Sequence, residues 1–269
     1  MGLSALEGHR LLSEATLGAA EGFAVNAGTA AWITQRSPDK ETPNEDAALI
    51  APLGDAGVLL AVADGAGGMP AGQVASKLAL EQLLAAVQAA DPREALRGAV
   101  LDGFEQANDA ILATRNGSGT TLAVAAIYDG KLRTYHVGDS QILVTGQRGS
   151  LKLQTIMHSP VGYALESEML DEEQAASHEE RHVVSNLMGS LDMRIEIGPE
   201  IKLARFDTVL LASDGLADNL LSDTIVEAIK SGPLERKLDA LAQQCRAAML
   251  GATNPHPDDL TLLAWRRGR

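Results

Sequence analysis

Three apolar runs in this chain end in an aspartate flanked by glycine: VLLAVADG presents Asp64, RTYHVGDS presents Asp139 and TVLLASDG presents Asp214. Two acidic pairs sit at the start of other apolar runs, Glu45-Asp46 before AALIA and Asp258-Asp259 before LTLLAW. Any one of them alone reads as a turn, because Asp-Gly is ordinary turn chemistry. Together they place carboxylates at five strand ends. If the sheets gather those ends, carboxylates about 4 Å apart repel by roughly 4 kcal/mol per pair at an effective dielectric near 20, so something positive must offset them. No Arg or Lys adjoins Asp64, Asp139, Asp214 or Asp258, and an all-oxygen site suits hard divalent cations such as Mg²⁺ or Mn²⁺. The expectation is a multinuclear metal centre. Two cations roughly 3.5 to 4 Å apart lower the pKa of a shared water and neutralise phosphoryl oxygens during in-line displacement, so no protein nucleophile is required.

Short strands must deliver these residues. Thr29 to Thr34, Asp46 to Ala51 and Val58 to Ala63 are apolar runs separated by Pro, Gly, Asn and Asp, which predicts strands and turns. Helices follow over about Ala71 to Ala89, with Val74, Leu78 and Leu83 spaced for one face, and about Arg93 to Thr114. Thr120 to Tyr128 and Lys131 to Val137 flank Asp129-Gly130, a strong hairpin signal. Strands near Gln141 to Val144 and Leu151 to Thr155 continue the meander. The segment from about 156 to 200 is polar and irregular, with DEEQAASHEER as an acidic helix and HVVSNLMG as a short one, and reads as an insertion over a site. A strand at Thr208 to Ala212, helices at about Ser222 to Ser231 and Leu234 to Met249, and a strand at Leu260 to Arg266 close the chain. Residues 4 to 20 have loosely helical spacing and are expected as a terminal helix or a ragged tail. Strands and helices grouped in blocks point to antiparallel sheets covered by helices rather than a doubly wound parallel sheet.

Composition narrows the function. Lys and Arg number 22 against 36 acidic residues, a net charge of −14 that disfavours nucleic-acid backbones and anionic membranes as main partners. With 3% aromatics, single-strand stacking platforms are also improbable partners. The single cysteine, Cys245, excludes an internal disulfide framework and any cysteine-clustered zinc site, and its helical context reads as core. No apolar run reaches the roughly 18 residues of a membrane helix, and the N-terminus lacks a basic stretch followed by an apolar block. Leu6 stands where a myristoylation signal on Gly2 wants Ser or Thr. A cytoplasmic location is the expectation.

Asn44-Glu45-Asp46, Asp64-Gly65-Ala66-Gly67-Gly68, Gly119-Thr120-Thr121, Gly138-Asp139-Ser140, Ser213-Asp214-Gly215 and Asp258-Asp259-Leu260-Thr261 occur in the order and approximate spacing of one family. Over about residues 28 to 266 the chain resembles the metal-dependent protein phosphatases, the type 2C serine/threonine phosphatases in their bacterial style. The resemblance implies an α+β fold, a four-layer αββα sandwich of two antiparallel β-sheets flanked by helices, with the metal site at one end. It implies a catalytic domain over 28–269, preceded by an N-terminal extension over 1–27 and carrying a flap-like insertion at about 156–200. It implies that Asp64 bridges two Mn²⁺ or Mg²⁺ ions beside the carbonyl of Gly65, that Asp214 and Asp258 hold the first, and that Glu45 and Asp46 meet the second partly through water. Asp139 and Asp218, with Asp214, match positions for a third ion. The implied reaction is hydrolysis of phosphoserine or phosphothreonine by a water bridging the metals, on a phosphorylated protein substrate and within a signalling system that includes a cognate Ser/Thr kinase.

Departures from the family pattern matter. Many members carry a phosphate-gripping arginine about five residues before the aspartate of the NED motif, where this chain has Glu41. Arg36, across a loop with Pro38 and Pro43, is the candidate to replace it. Ala66 occupies a position where some eukaryotic members have a histidine proposed as general acid, and Ala66 has no proton to give. Gln141 replaces the arginine often found after GDS. Gly67 and Gly68 let the backbone approach the site closely.

Rival readings fare less well. DGAGGMPAGQVAS lacks both the third glycine of the dinucleotide fingerprint and the Lys-Ser/Thr of a P-loop. Six histidines without HExxH spacing disfavour a zinc hydrolase. His136 reads as core, and His158 and His182 as surface residues of the insertion. Asp171-Glu172-Glu173 reads as a solvated helix start. The main functional alternative is a catalytically inactive phosphatase-like regulatory or binding module, which should have lost core carboxylates; Asp64, Asp214 and Asp258 are all present.

Overall fold

The computed structural model describes residues 4–5, 8–26, 28–66, 71–251 and 255–267. One sheet runs β1 (Ser4–Ala5), β3 (Glu21–Val25), β4 (Gly28–Gln35), β14 (Leu260–Arg267), β13 (Thr208–Ala212), β9 (Gln141–Thr145), β10 (Leu151–Gln154). The other runs β11 (Glu196–Ile197), β8 (Lys131–Val137), β7 (Leu122–Tyr128), β6 (Gly57–Asp64), β5 (Asp46–Leu53), β2 (Arg10–Ser13), with β12 (Ile201–Lys202) also on β8. All pairings are antiparallel except that of β1 with β3.

The central strands are apolar throughout because each buries both faces. Along β6, Val58, Leu60 and Val62 enter the core between the sheets, while Leu59, Ala61 and Ala63 pack under α1 (Gly72–Gln88) and α2 (Leu96–Thr114). Along β13, Val209 and Leu211 face the central core and Leu210 and Ala212 face α6 (Ser222–Ile229) and α7 (Leu234–Met249). The period-2 alternation of side chains assigns each residue to one core or the other. Three apolar layers thus lie between four layers of secondary structure, the sandwich expected from the resemblance. Helix α7 buries Leu234, Leu238, Leu241, Ala242, Cys245 and Met249, a stripe at helical spacing. The β7–β8 turn has Asp129 and Gly130 both at positive φ, 48° and 71°, as the right-handed twist of a two-residue hairpin requires.

Several elements depart from expectation. Residues 4 to 20 contain no helix among those described. Arg10–Ser13 instead pairs with β5 as an edge strand, with Leu11 against the helix-covered core and Leu12 against the central one, so period 2 overrides the helical spacing. The segment read as an N-terminal extension adds strands to both sheets. On α1 the buried face is Ala75, Ala79, Leu80, Leu83, Leu84 and Val87; Val74 is 45% exposed. The insertion holds two short helices, α3 (Pro160–Glu166) and α4 (Glu172–Ala176). HVVSNLMG is not helical: its backbone bonds elsewhere, Met188 pairing with Thr120 and Ser185 donating to the His158 carbonyl. A four-residue helix, α5 (Asp214–Ala217), follows β13 directly.

Sheet register brings the acidic ends together. Asp46 lies opposite Asp64 across β5 and β6. Ala212 lies opposite both Gln141 and Leu262, which sets Asp139, Asp214 and Asp258 at the same end of the sandwich.

Candidate metal centre

Asp46 is held from two directions. Its backbone N–H donates to Asn44 Oδ1 (2.9 Å), and its Oδ2 accepts the Ser213 hydroxyl (2.8 Å). Buried Asn44 is fixed in turn by donating to the Ala15 carbonyl and Thr34 Oγ1, both at 2.8 Å. The Asp64 backbone is clamped by the Gly119-Thr120-Thr121 motif. Thr121 N and Thr120 Oγ1 each donate to the Asp64 carbonyl at 2.8 Å, and Asp64 N donates to Thr121 Oγ1. Thr121 Oγ1 also meets Ser140 Oγ at 2.7 Å, linking this clamp to the Gly138-Asp139-Ser140 turn. Two close approaches require glycine. A Cβ on Gly65 would fall 2.4 Å from the Gly72 carbonyl carbon, and one on Gly215 would fall 2.2 Å from the Asp259 carbonyl. Gly67 and Gly68 lie outside the described residues.

The carboxylates perturb one another. Burial, with Asp46, Asp214 and Asp258 nearby, holds Asp64 well above the ordinary carboxylate range, and burial with the Asp259 charge does the same to Asp46. Burial pushes Asp139 up to about 6, and burial with the Asp139 charge pushes Asp214 up to about 7. Asp218 rises to about 8 through burial and the charges of Asp214 and Asp139. Asp258, on the exposed loop before β14, rises to about 7 through lost hydration and Asp214. In the geometry, Asp46 and Asp64 face each other across β5 and β6, and Asp139, Asp214 and Asp218 line one cavity at the same end of the sandwich. Two buried oxygens, Asp46 Oδ1 and Asp214 Oδ1, have no donor. Such orphaned anionic acceptors are rare in native proteins and call for a partner, so this donor set fits hard divalent cations.

Sequence reasoning missed the cation beside the cluster. Lys40 Nζ contacts Glu45 Oε2 (2.5 Å) and Asp259 Oδ2 (2.8 Å). Burial works against its charge, but the hydrogen bonds to Asp259 and Glu45 outweigh it and hold the ammonium above the usual lysine value. Asp259 is a brace: it also accepts the backbone N–H groups of Ser37 and Glu45, each at 2.8 Å. Arg36 is exposed just beyond β4, with one Nη1 donation to the Glu41 carbonyl (3.3 Å). The signal for Lys40 was its place in the same loop as Arg36, but nothing in the sequence brings Asp259 to it.

The cluster opens onto a cavity of about 380 Å³ between α3, α4 and the core, lined by Asp139, Asp214, Asp218 and Arg181 with apolar Val161 and Leu165. His136 is buried, as expected. His158, expected at the surface, is buried because its ring nitrogens and backbone tie the insertion to the β8–β9 turn; His182 is exposed. Cys245 is core, its thiol donating to the Gly215 carbonyl (3.1 Å) and pushed up to about 12 by burial. Asp171 caps α4 with Gln174 in a reciprocal box, and Glu172 accepts Ser222 N (2.9 Å), fastening the insertion to α6.

The family model described as Protein phosphatase 2C matches residues 36–253. Protein phosphatase PhpP of Streptococcus pneumoniae is 31% identical over 199 residues, covering 69% of this chain and 78% of that one. The serine/threonine phosphatase PstP/Ppp of Mycobacterium tuberculosis superposes with a TM-score of 0.75 at 26% identity, over 89% of this chain and 98% of that one. A structure of the PstP catalytic domain in complex with two manganese ions superposes with a TM-score of 0.68 at 26% identity, over 88% and 96% of the two chains. On motifs, fold and comparisons alike, this chain belongs to the protein phosphatase 2C family.

Proposed function

We propose that this protein is a metal-dependent phosphoprotein phosphatase that hydrolyses phosphoserine and phosphothreonine, with Asp64, Gly65, Asp214, Asp258, Glu45 and Asp46 serving two Mn²⁺ or Mg²⁺ ions. Asp139 and Asp218, with Asp214, serve a third. The observation that carries this reading is the gathering of carboxylates at one end of the sandwich, with buried, donorless oxygens on Asp46 and Asp214. Divalent cations bound there supply Lewis-acid activation of water and neutralisation of phosphoryl charge. The chain's own residues orient that chemistry. Ser213 and Asn44 fix Asp46, the Thr120-Thr121 clamp fixes Asp64, and Asp259 with Lys40 fixes the loop that carries Glu45. Arg36, exposed and with a single guanidinium donation among the described residues, meets the substrate phosphate, whereas Lys40 is occupied by two carboxylates. Ala66 cannot protonate the leaving group, so that proton comes from water.

The relatives named as serine/threonine phosphatases support the substrate class. A cognate Ser/Thr kinase, a cytoplasmic location and control of substrate access by the flap at about 156–200 belong to the same reading, with the catalytic domain over 28–269. No described helix is long and apolar enough to cross a membrane. The test is phosphate release from a phosphothreonine peptide with Mn²⁺, with a metabolite phosphate and Asp64→Asn as comparisons. Mn²⁺-dependent turnover of the peptide that Asp64→Asn loses is the expected result; a wild-type chain inert with Mn²⁺ favours a binding module instead.

A further inference from the structure

His158 joins two parts of the molecule that the reaction needs in register. It lies at the root of the flap, and its Nδ1 accepts from Gly138 N (3.1 Å) and from Asn186 Nδ2 (2.9 Å). Its backbone doubles the link: His158 N donates to the Gly138 carbonyl (3.0 Å), and Ser185 N donates to the His158 carbonyl (2.8 Å). Gly138 immediately precedes Asp139 and has φ +101°, a conformation closed to other residues, with no room for a Cβ against Thr121. Asn186 is oriented by Arg194, donating to its carbonyl (2.7 Å) and accepting its N–H (3.0 Å), so its amide nitrogen is the atom that faces His158.

The partners fix the tautomer. Gly138 N–H can only donate, so Nδ1 keeps its lone pair and Nε2 carries the proton, which goes to Glu196 Oε2 at 3.1 Å. This assignment also decides what the neighbouring His136, His158 and Glu196 trio is. The three offer ligand atoms within 4.8 Å of one another, but a cation would have to displace the Nε2 proton while Nδ1 stays committed to two donors. The His136 and His158 rings are moreover stacked, with centroids 4.4 Å apart and planes 22° apart. In this structure the trio serves as a joint: His136 Nε2 meets the Ile156 carbonyl (2.8 Å) while its buried Nδ1 has no partner among the described residues.

We propose that His158 is a positioning residue whose Nδ1 lone pair ties the Gly138-Asp139 turn to the Asn186 end of the flap, so that the cation position at Asp139 and the flap share one register. The proposal rests on Asp139 serving the metal centre as read above. Two variants of the full chain separate the ring's halves. In His158→Asn the side-chain oxygen takes the place of Nδ1 and loses the reach to Glu196; in His158→Gln the amide nitrogen takes the place of Nε2 and loses the acceptor. Two quantities are read: hydrogen exchange at Gly138 in metal-free protein and Mn²⁺ binding by loss of the free-ion spin resonance signal. His158→Gln exchanges Gly138 faster and loosens the weakest Mn²⁺ site by about tenfold or more, the usual cost of a lost supporting contact. His158→Asn and Glu196→Ala stay near wild type in both. Equal losses in the Asn and Gln variants, or a Gln variant like wild type, overturn the proposal. If His158→Gln does not fold, the wild-type ring decides: a bare Nδ1 and a protonated Nε2 in its ¹⁵N spectrum support the assignment, and a proton on Nδ1 overturns it. Exchange and ring spectra need no turnover, so an inactive chain would refute the phosphatase reading while leaving this result readable.

Discussion

Asp214 does opposite things for stability and for chemistry. Its Oδ1 is buried without a donor, and its carboxyl is pushed up to about 7 by burial and Asp139. Asp214→Asn should lower kcat/KM with Mn²⁺ by on the order of 10² to 10³, the scale of losing a preorganised charge partner. Above pH 7, by contrast, it should raise the melting temperature of the metal-free protein, since it removes one charge from a repelling cluster. Arg36 and Lys40 should part in the same manner. Arg36→Ala leaves the melting temperature unchanged and raises KM for a phosphopeptide by roughly tenfold, the scale of one charge-assisted hydrogen bond. Lys40→Ala leaves Glu45 and Asp259 without their shared cation, so melting temperature and Mn²⁺ affinity should both fall; thermal melts and Mn²⁺ titrations of the two variants check this.

Among the elements, the N-terminal strands are where sequence and structure disagree most. Phe23 on β3 is buried edge-on against Trp32 of β4, with ring centroids 5.3 Å apart. Phe23→Ala should therefore cost about 3–5 kcal/mol in a denaturant melt, whereas a loosely attached tail would show almost no change. The strand ends carrying Asp46, Asp64, Asp139 and Asp214 were legible because the same pattern, an apolar run bounded by an acidic residue, recurs along the chain, and helix α7 was legible because its apolar stripe repeats at helical spacing. The edge strands were not: Arg10–Ser13 is too short to show its period and takes its place from β5. Nor was HVVSNLMG, whose backbone bonds go to Thr120 and His158 across the fold. Lys40 and Asp259 were illegible as a pair for the same reason, standing 219 positions apart in the chain.

For the whole molecule, the raised carboxyls make stability depend on pH. In the metal-free fold Asp139, Asp214, Asp258 and Asp218 hold protons up to about 6, 7, 7 and 8, whereas the unfolded chain releases them near 3.8. Folded-state values above unfolded ones mean that their contribution is fully present below the unfolded value and is lost as pH rises through the folded ones. Metal-free protein should accordingly melt lower at pH 8 than at pH 5.5, and the gain on adding Mn²⁺ should grow over the same window as protons stop competing for the carboxylates; calorimetry with and without chelator reads both. The chain's net charge of −14 adds to the self-repulsion that cations relieve. The central claim is that carboxylates distant in sequence converge because cations sit between them, and anomalous diffraction at the manganese edge from a soaked crystal tests it most directly. Two strong peaks should lie within bonding distance of Asp64, one of them shared with Asp214 and Asp258; a well-ordered crystal with no peak at Asp64 would rule this out.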